Sequence, residues 1–79
     1  MNKREIISEI KAKLTENKAK LERYEISPVE WSNNTRYIFD SMLNKSGYAI
    51  GTFSQLWNAA NRELAIESGV YCTTQFMMP

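Results

Sequence analysis

The side chains in this sequence that are best suited to recognising another molecule are the amides and the arginine of its third predicted helix. Amide and guanidinium groups are the ones that read base edges in the major groove of DNA. Residues 26–79, however, carry only three Lys or Arg against four acids, and nucleic-acid affinity comes largely from cations paired with phosphates. A solvated polar face is therefore favoured, and a small dimeric DNA-binding regulator is the alternative. The residues concerned are Gln55, Asn58, Asn61 and Arg62.

Residues that support catalysis are sparse. The sequence contains no histidine and one cysteine, Cys72, so Cys–His and Ser–His nucleophile pairs and the usual zinc ligand sets are excluded. Glu63 and Glu67 lie four residues apart on one helical face, but their spacing shows no pairing typical of general acid–base catalysis. The composition predicts a protein that is not an enzyme and holds no metal or other cofactor.

Size and hydropathy indicate a small soluble protein. Seventy-nine residues suffice for one domain near the lower size limit, and ten Lys and Arg balance nine Asp and Glu. No apolar run approaches the ~20 residues of a membrane span, and the start, MNKREIISEIKAK, lacks the apolar core of a signal peptide. The lone Cys72 argues against a disulfide-stapled secreted domain. The expected location is the cytoplasm, without a membrane partner.

Residues 3–25 are predicted to form one long amphipathic helix. Its seam residues alternate at intervals of three and four, as in a heptad repeat, but the amide of Asn17 stands where an apolar side chain is expected. Asn17 allows two interpretations. It is either half-exposed where the helix runs past its neighbours, or a polar contact that fixes register at an interface. If buried it needs a hydrogen-bond partner, because an unpaired amide costs about 1–3 kcal/mol.

Lysines flank this seam. In a parallel homodimer Lys13 of one chain would face Lys18 of the other, and an antiparallel pair also opposes lysines near its middle. The seam is therefore expected to face something neutral or acidic, either the second and third helices of its own chain or an acidic groove of another protein. With Ile7 at position a, the lysines in the flanking e and g positions are Lys11, Lys13, Lys18 and Lys20.

Two further helices and a tail complete the prediction. Ser27, Pro28 and Glu30 combine an N-cap, a proline at the first helical position and a capping box, which predicts a helix over about 28–45. Gly47 is expected to end this helix by adopting a left-handed conformation. A second capping box, from Thr52 to Gln55, predicts a third helix over about 53–68. Residues 70–79 are rich in β-branched and aromatic side chains and are predicted to be extended.

The distribution of residue types suggests how these helices assemble. Twelve of the nineteen charges lie in residues 1–25, whereas eight of the nine aromatic residues lie from Trp31 onward. The second and third helices are therefore expected to form an aromatic core, along which the first helix packs or from which it projects.

The sequence thus predicts a small all-α domain of three helices with a short extended tail, acting without catalysis through protein–protein contact. A regulatory subunit, an adaptor or an inhibitor that occludes a site on a partner fits this description, and small phage- or plasmid-encoded antagonists share its size and composition. The partner is another protein or a second copy of the chain. The predicted contact residues are Ile7, Ile10, Leu14, Asn17, Leu21 and Tyr24 of the seam, with Lys13 and Lys18 beside it.

Overall fold

A computed structural model describes residues 2–68 of the chain, which fold into three α-helices. They are α1 (Lys3–Glu22), α2 (Pro28–Ser46) and α3 (Ile50–Ser68). The predicted all-α fold with a long first helix is confirmed. None of these three helices combines the length and the apolarity needed to cross a bilayer. The predicted extended tail over 70–79, with Cys72, lies outside the described residues.

The N-terminus of α1 is capped by a reciprocal pair of hydrogen bonds. The Asn2 side chain accepts the Glu5 backbone N–H at 2.8 Å, and the Glu5 carboxylate accepts the Asn2 backbone N–H at 2.9 Å. This capping box satisfies two of the backbone donors that a helix leaves unpaired at its first turn.

The end of α1 comes three residues before the predicted position 25, because the chain turns at Tyr24. Tyr24 has a φ of 60°, in the left-handed region. Its N–H donates to the Leu21 carbonyl at 3.1 Å, and the Glu25 N–H donates to the Lys20 carbonyl at 2.9 Å. These two bonds form a Schellman motif, which pairs the last carbonyls of the helix. Tyr24 therefore leaves the seam, and 93% of it is exposed.

Substitution of Tyr24 by glycine is expected to stabilise the protein by about 1 kcal/mol. A β-carbon is strained in the left-handed region, whereas glycine adopts it without that cost. Little packing is lost, because the Tyr24 side chain lies almost entirely in solvent. Urea unfolding followed by circular dichroism measures the change. Thr15→Gly, at an exposed position inside α1, is the control and should destabilise by about 0.5 kcal/mol. A loss of stability in both variants would contradict strain at Tyr24.

The ends of α2 form as predicted. The Ser27 hydroxyl accepts the Glu30 N–H at 3.1 Å, and the Glu30 carboxylate accepts the Ser27 N–H at 2.8 Å. Pro28 occupies the first helical position, and Gly47 closes the helix with a φ of 74°. Because each of these features involves residues only a few positions apart, local sequence was sufficient to predict them.

The start of α3 differs from the prediction. The helix begins at Ile50, and Thr52 lies inside it, so the predicted capping box at Thr52 does not form. The Ser46 hydroxyl accepts the Tyr48 N–H at 3.2 Å and holds the turn after α2 tight. The Phe53 N–H already donates to the Ala49 carbonyl at 2.9 Å. The chain therefore re-enters helical geometry sooner than the residue types around Thr52 indicate.

The core lies between α1 and the other two helices. The isoleucines Ile6 and Ile10 of α1 are fully buried with Met42 of α2 and Phe53 of α3. α2 and α3 contact each other less than either contacts α1. Of the two arrangements left open by the sequence, α1 packs on its own chain and supplies much of the core.

An aromatic cluster joins α2 to α3. The ring of Phe39 stands edge-on to Phe53 and to Trp57, with 5.0 Å between ring centroids in both pairs. Edge-to-face contacts of this kind place the positive ring edge on a negative ring face. The predicted aromatic core is thus present at this junction, and the apolar face of α1 extends it.

Candidate interaction surface

The seam predicted as a contact surface faces α2 and α3 of its own chain. Ile7 and Ile10 are buried in the core, and Leu14 packs against it half-buried. Leu21, one residue before the end of α1, is also half-buried. Of the two occupants left open by the sequence, the chain's own helices cover the seam in this structure.

Asn17 is buried, with 5% of its surface exposed, so the interpretation that it is half-exposed is wrong. Its Nδ2 donates to the Trp31 carbonyl and to the Thr35 hydroxyl, each at 3.1 Å. Its Oδ1 accepts from Asn34 Nδ2 at 3.2 Å. The first turns of α2 run beside Asn17 and supply a partner for both ends of its amide. The polar contact therefore links α1 to α2, and its partners offset the cost of burial.

Cations on one flank of the seam pair with acids of α3. Lys11 Nζ lies 2.6 Å from a Glu67 carboxylate oxygen and 3.1 Å from Glu63. The Arg4 guanidinium donates two hydrogen bonds to Glu63, at 2.7 and 2.9 Å. A two-pronged contact of arginine with a carboxylate is the stronger and more directional type of ion pair. The acidic surface expected beside the seam is thus supplied by α3.

Acid is expected to destabilise this α1–α3 contact. Hydrogen bonds from Arg4 and then from Lys11 lower the pKa of Glu63 from 4.5 to about 2. A carboxylate whose pKa falls on folding stabilises the fold above its usual pKa, and this contribution disappears as pH falls from about 4.5 towards 2. The free energy of unfolding is measured with urea for the wild type and for Glu63→Gln, from neutral pH down to this window. It should fall more steeply with pH in the wild type.

Glu22 offers a matched control for that titration, because it forms no ion pair within residues 2–68. Glu22→Gln should follow the wild-type curve. If Glu63→Gln lost stability with pH as steeply as the wild type, the ion pairs of Glu63 would not be the cause. A group whose pKa rises on folding would behave in the opposite way, because its contribution to stability is lost as pH rises.

The two lysines predicted as contacts remain accessible. Lys13 is exposed and lies 3.9 Å from Glu9, whose carboxylate is held at 2.6 Å by Lys45 of α2. Lys18 is exposed and makes no ion pair with any residue in the described range 2–68. Lys13 and Lys18 therefore face solvent, whereas the seam beside them is internal and Lys11 is paired with α3.

The four polar residues of α3 singled out in the sequence all lie exposed on that helix. Asn61 Nδ2 donates to the Trp57 carbonyl at 2.9 Å, so this amide is engaged with its own helix. Arg62 forms no ion pair with the part of the chain that the structure describes. At 100° per residue, Arg62 shares one face with Gln55 and Asn58, whereas Asn61 lies towards its edge.

A different surface lies on α2, and none of its residues is among the contact residues predicted by name. We define the α2 outer face as Val29, Asn33, Arg36, Tyr37 and Asp40, which lie opposite buried Met42 at 100° per residue. Val29 is 69% exposed and Tyr37 is 73% exposed. Neither Arg36 nor Asp40 forms an ion pair within residues 2–68. An open hollow of about 240 Å³ beside them is lined by Arg36, Phe39 and Asp40.

A sequence signal for this surface existed. Val29 and Tyr37 are apolar residues that fall off the stripe of α2 facing the core, which includes Ile38 and Met42. A large apolar side chain on the outer face of an amphipathic helix does not contribute to the core of its own chain. Such residues are the ones to examine for contact with another molecule.

The remaining chemistry of the described chain is limited. Residues 2–68 contain no group of three or more His, Cys, Asp or Glu placed to hold a metal ion. No family model, curated protein or solved structure matches the chain. Function is therefore inferred from the surface that the fold leaves exposed.

Proposed function

We propose that this protein is a non-catalytic protein–protein interaction module whose contact surface is the α2 outer face. A regulatory subunit, an adaptor or an inhibitor that covers a site on its partner would work in this way. The observation that supports the proposal is the exposure of Val29 and Tyr37 on a helix whose opposite face is committed to the core. The two residues lie about two turns apart on the same face, and exposed apolar side chains with polar residues around them are found at interaction sites.

The composition of the α2 outer face suits this role. Tyrosine and arginine are enriched in protein interfaces, where they often contribute a large share of the binding energy. Tyr37 presents a broad ring with few rotatable bonds, so ordering it on binding costs little entropy. Arg36 and Asp40 supply one charge of each sign beside it. These charges favour partners with a matching pattern and disfavour others.

The surface is also held rigidly. The capping box of Ser27 and Glu30 fixes the start of α2, and Gly47 ends it. The hydrogen bonds of Asn17 join α1 to the Trp31–Thr35 turn of α2. A contact face held in its bound conformation before association loses less conformational entropy when it binds.

The proposal is tested by capture with immobilised protein. Wild type should retain a binding protein from an extract of the source cells, or a tagged second copy of the chain, and Val29→Lys/Tyr37→Glu should lose it. The matched control is Ala12→Lys/Thr15→Glu, which makes the same types of change at exposed positions of α1 and should retain binding. Circular dichroism checks that all three proteins are folded. Equal capture by all three would exclude the α2 outer face as the contact surface.

Nucleic-acid binding is the weaker alternative, supported by the exposure of Gln55, Asn58 and Arg62 on one face of α3. We expect neither the wild type nor Arg62→Ala to bind duplex DNA detectably at low ionic strength, because residues 26–79 carry more acids than cations. Fluorescence anisotropy of a labelled duplex measures this. Binding that falls steeply with salt and weakens in Arg62→Ala would instead support a DNA-binding regulator.

A further inference from the structure

We infer that the partner of the α2 outer face is a second copy of this chain, with the two α2 helices antiparallel across a two-fold axis. The inference rests on the proposed function, because it uses the same contact surface. A two-fold interface requires a surface that is complementary to itself, so that each contact occurs twice. The α2 outer face meets this requirement through the placement of its charges.

The two charges lie symmetrically about Ile38. Arg36 precedes Ile38 by two residues and Asp40 follows it by two. In an antiparallel pairing centred at Ile38, Arg36 of each copy lies opposite Asp40 of the other. A spacing of four residues places both side chains on one ridge of α2. Because neither is paired within residues 2–68, both remain available for this contact.

The exposed apolar residues are consistent with the same register. Tyr37 lies one residue from the centre of the pairing, so the two Tyr37 rings lie near the axis on one flank and bury each other. Val29 of one copy lies at the level of Gly47 of the other, since 29 and 47 are equally far from 38. A β-carbon built on Gly47 would meet no atom within 4 Å. Space is therefore open at the position where Val29 would pack.

The other helical faces lack this self-complementarity. Self-pairing through the α1 seam would oppose Lys13 and Lys18, and the seam is already covered by α2 and α3. The outer face of α3 exposes Ile66 but carries Arg62 without an acid, because Glu63 and Glu67 are bound to cations of α1. Within residues 2–68, the α2 outer face therefore combines self-complementary charges with exposed apolar side chains, and both favour attraction between two copies.

Charge reversal provides the test, measured by sedimentation equilibrium or light scattering over a range of concentrations. Arg36→Asp places acids opposite acids across the axis, and Asp40→Arg places cations opposite cations. Each single variant is expected to dimerise at least about tenfold more weakly than wild type, since attraction becomes repulsion in two symmetric pairs. The double variant Arg36→Asp/Asp40→Arg restores opposite charges and should dimerise like the wild type.

Mixing the two single variants gives the sharpest result. A mixture of Arg36→Asp with Asp40→Arg restores both opposite-charge contacts, so a heterodimer should form although each variant alone is largely monomeric. Rising salt should weaken the wild-type dimer, because its charges attract. A dimer formed through the lysine-flanked seam would instead tighten with salt.

Three outcomes would overturn the inference. A wild type that stays monomeric, while another protein is captured through the α2 outer face, would refute the second copy and keep the proposed function. A dimer that neither single variant weakens, or that tightens with salt, would place self-association on another surface. If the wild type does not self-associate, and if no protein is captured in a way that depends on Val29 and Tyr37, the proposed function is refuted as well.

Discussion

Replacement of Asn17 by aspartate is expected to lower the free energy of unfolding by about 3 kcal/mol at neutral pH. Asn17 Nδ2 donates to the Trp31 carbonyl and the Thr35 hydroxyl. A carboxylate at this position has no proton to donate, so it would face the Trp31 carbonyl oxygen and repel it. The charge would also be buried, since only 5% of Asn17 is exposed.

The matched control is Asn17→Leu, which completes the apolar seam with a side chain of similar length. The Thr35 hydroxyl keeps its own donation to the Trp31 carbonyl, at 2.8 Å. Asn34 is exposed and can turn to water. The change in stability should therefore stay within about 1 kcal/mol, as when a satisfied buried polar contact is replaced by a well-packed apolar group.

Urea unfolding of the wild type and the two Asn17 variants measures both effects. A chain of this size has a net stability of only about 4–12 kcal/mol, so the aspartate variant should show a clear shift in its midpoint. Equal losses in Asn17→Asp and Asn17→Leu would mean that side-chain shape matters and the hydrogen bonds do not. Equal stability of all three would show that Asn17 is not buried against α2.

Truncation of Ile10 to alanine is expected to cost about 3 kcal/mol, because Ile10 is fully buried between the helices. Leu14 and Leu21 are only half-buried, so Leu14→Ala and Leu21→Ala should cost less. The order of the three losses follows the burial of each residue in its own chain. Urea unfolding in the Arg36→Asp background, which is designed to keep the α2 outer faces apart, measures them on the monomer.

Repeating the measurement at several protein concentrations distinguishes loss of core packing from loss of an interface between chains. If the seam is internal, the stability lost in Ile10→Ala is the same at low and at high concentration. If the seam instead joined two chains, the difference from the parent would depend on concentration, because association stabilises the folded state by mass action. An Ile10→Ala variant that kept its full stability but lost self-association would contradict the internal seam.

The sequence by itself was sufficient for features that depend on neighbouring residues. The start of α2 follows from Ser27, Pro28 and Glu30, and its end follows from Gly47, because a cap is a contact between residues three or four positions apart. The amphipathic character of α1 was equally readable from its seam spacing. The all-α fold follows from these local patterns.

Some boundaries required more than local pattern. The seam continues to Tyr24 by spacing alone, but the chain ends α1 with Tyr24 in a left-handed conformation, which residue preference disfavours. α3 begins at Ile50, whereas its residue types indicated a start near Thr52. In both cases the geometry of the connecting turn prevailed over the preference of single residues.

Only the tertiary structure decided which molecule covers each surface. The spacing of Ile7 and Ile10 predicts an apolar face but does not identify its occupant, and the lysine flank fits acids of any origin. The structure places Glu63 beside Lys11, 52 residues apart in sequence, and brings α2 to Asn17. Such contacts depend on how helices pack, and helical periodicity determines only which side chains share a face. For the same reason the sequence places Val29 and Tyr37 off the apolar stripe of α2, but only the structure shows that both remain exposed within residues 2–68.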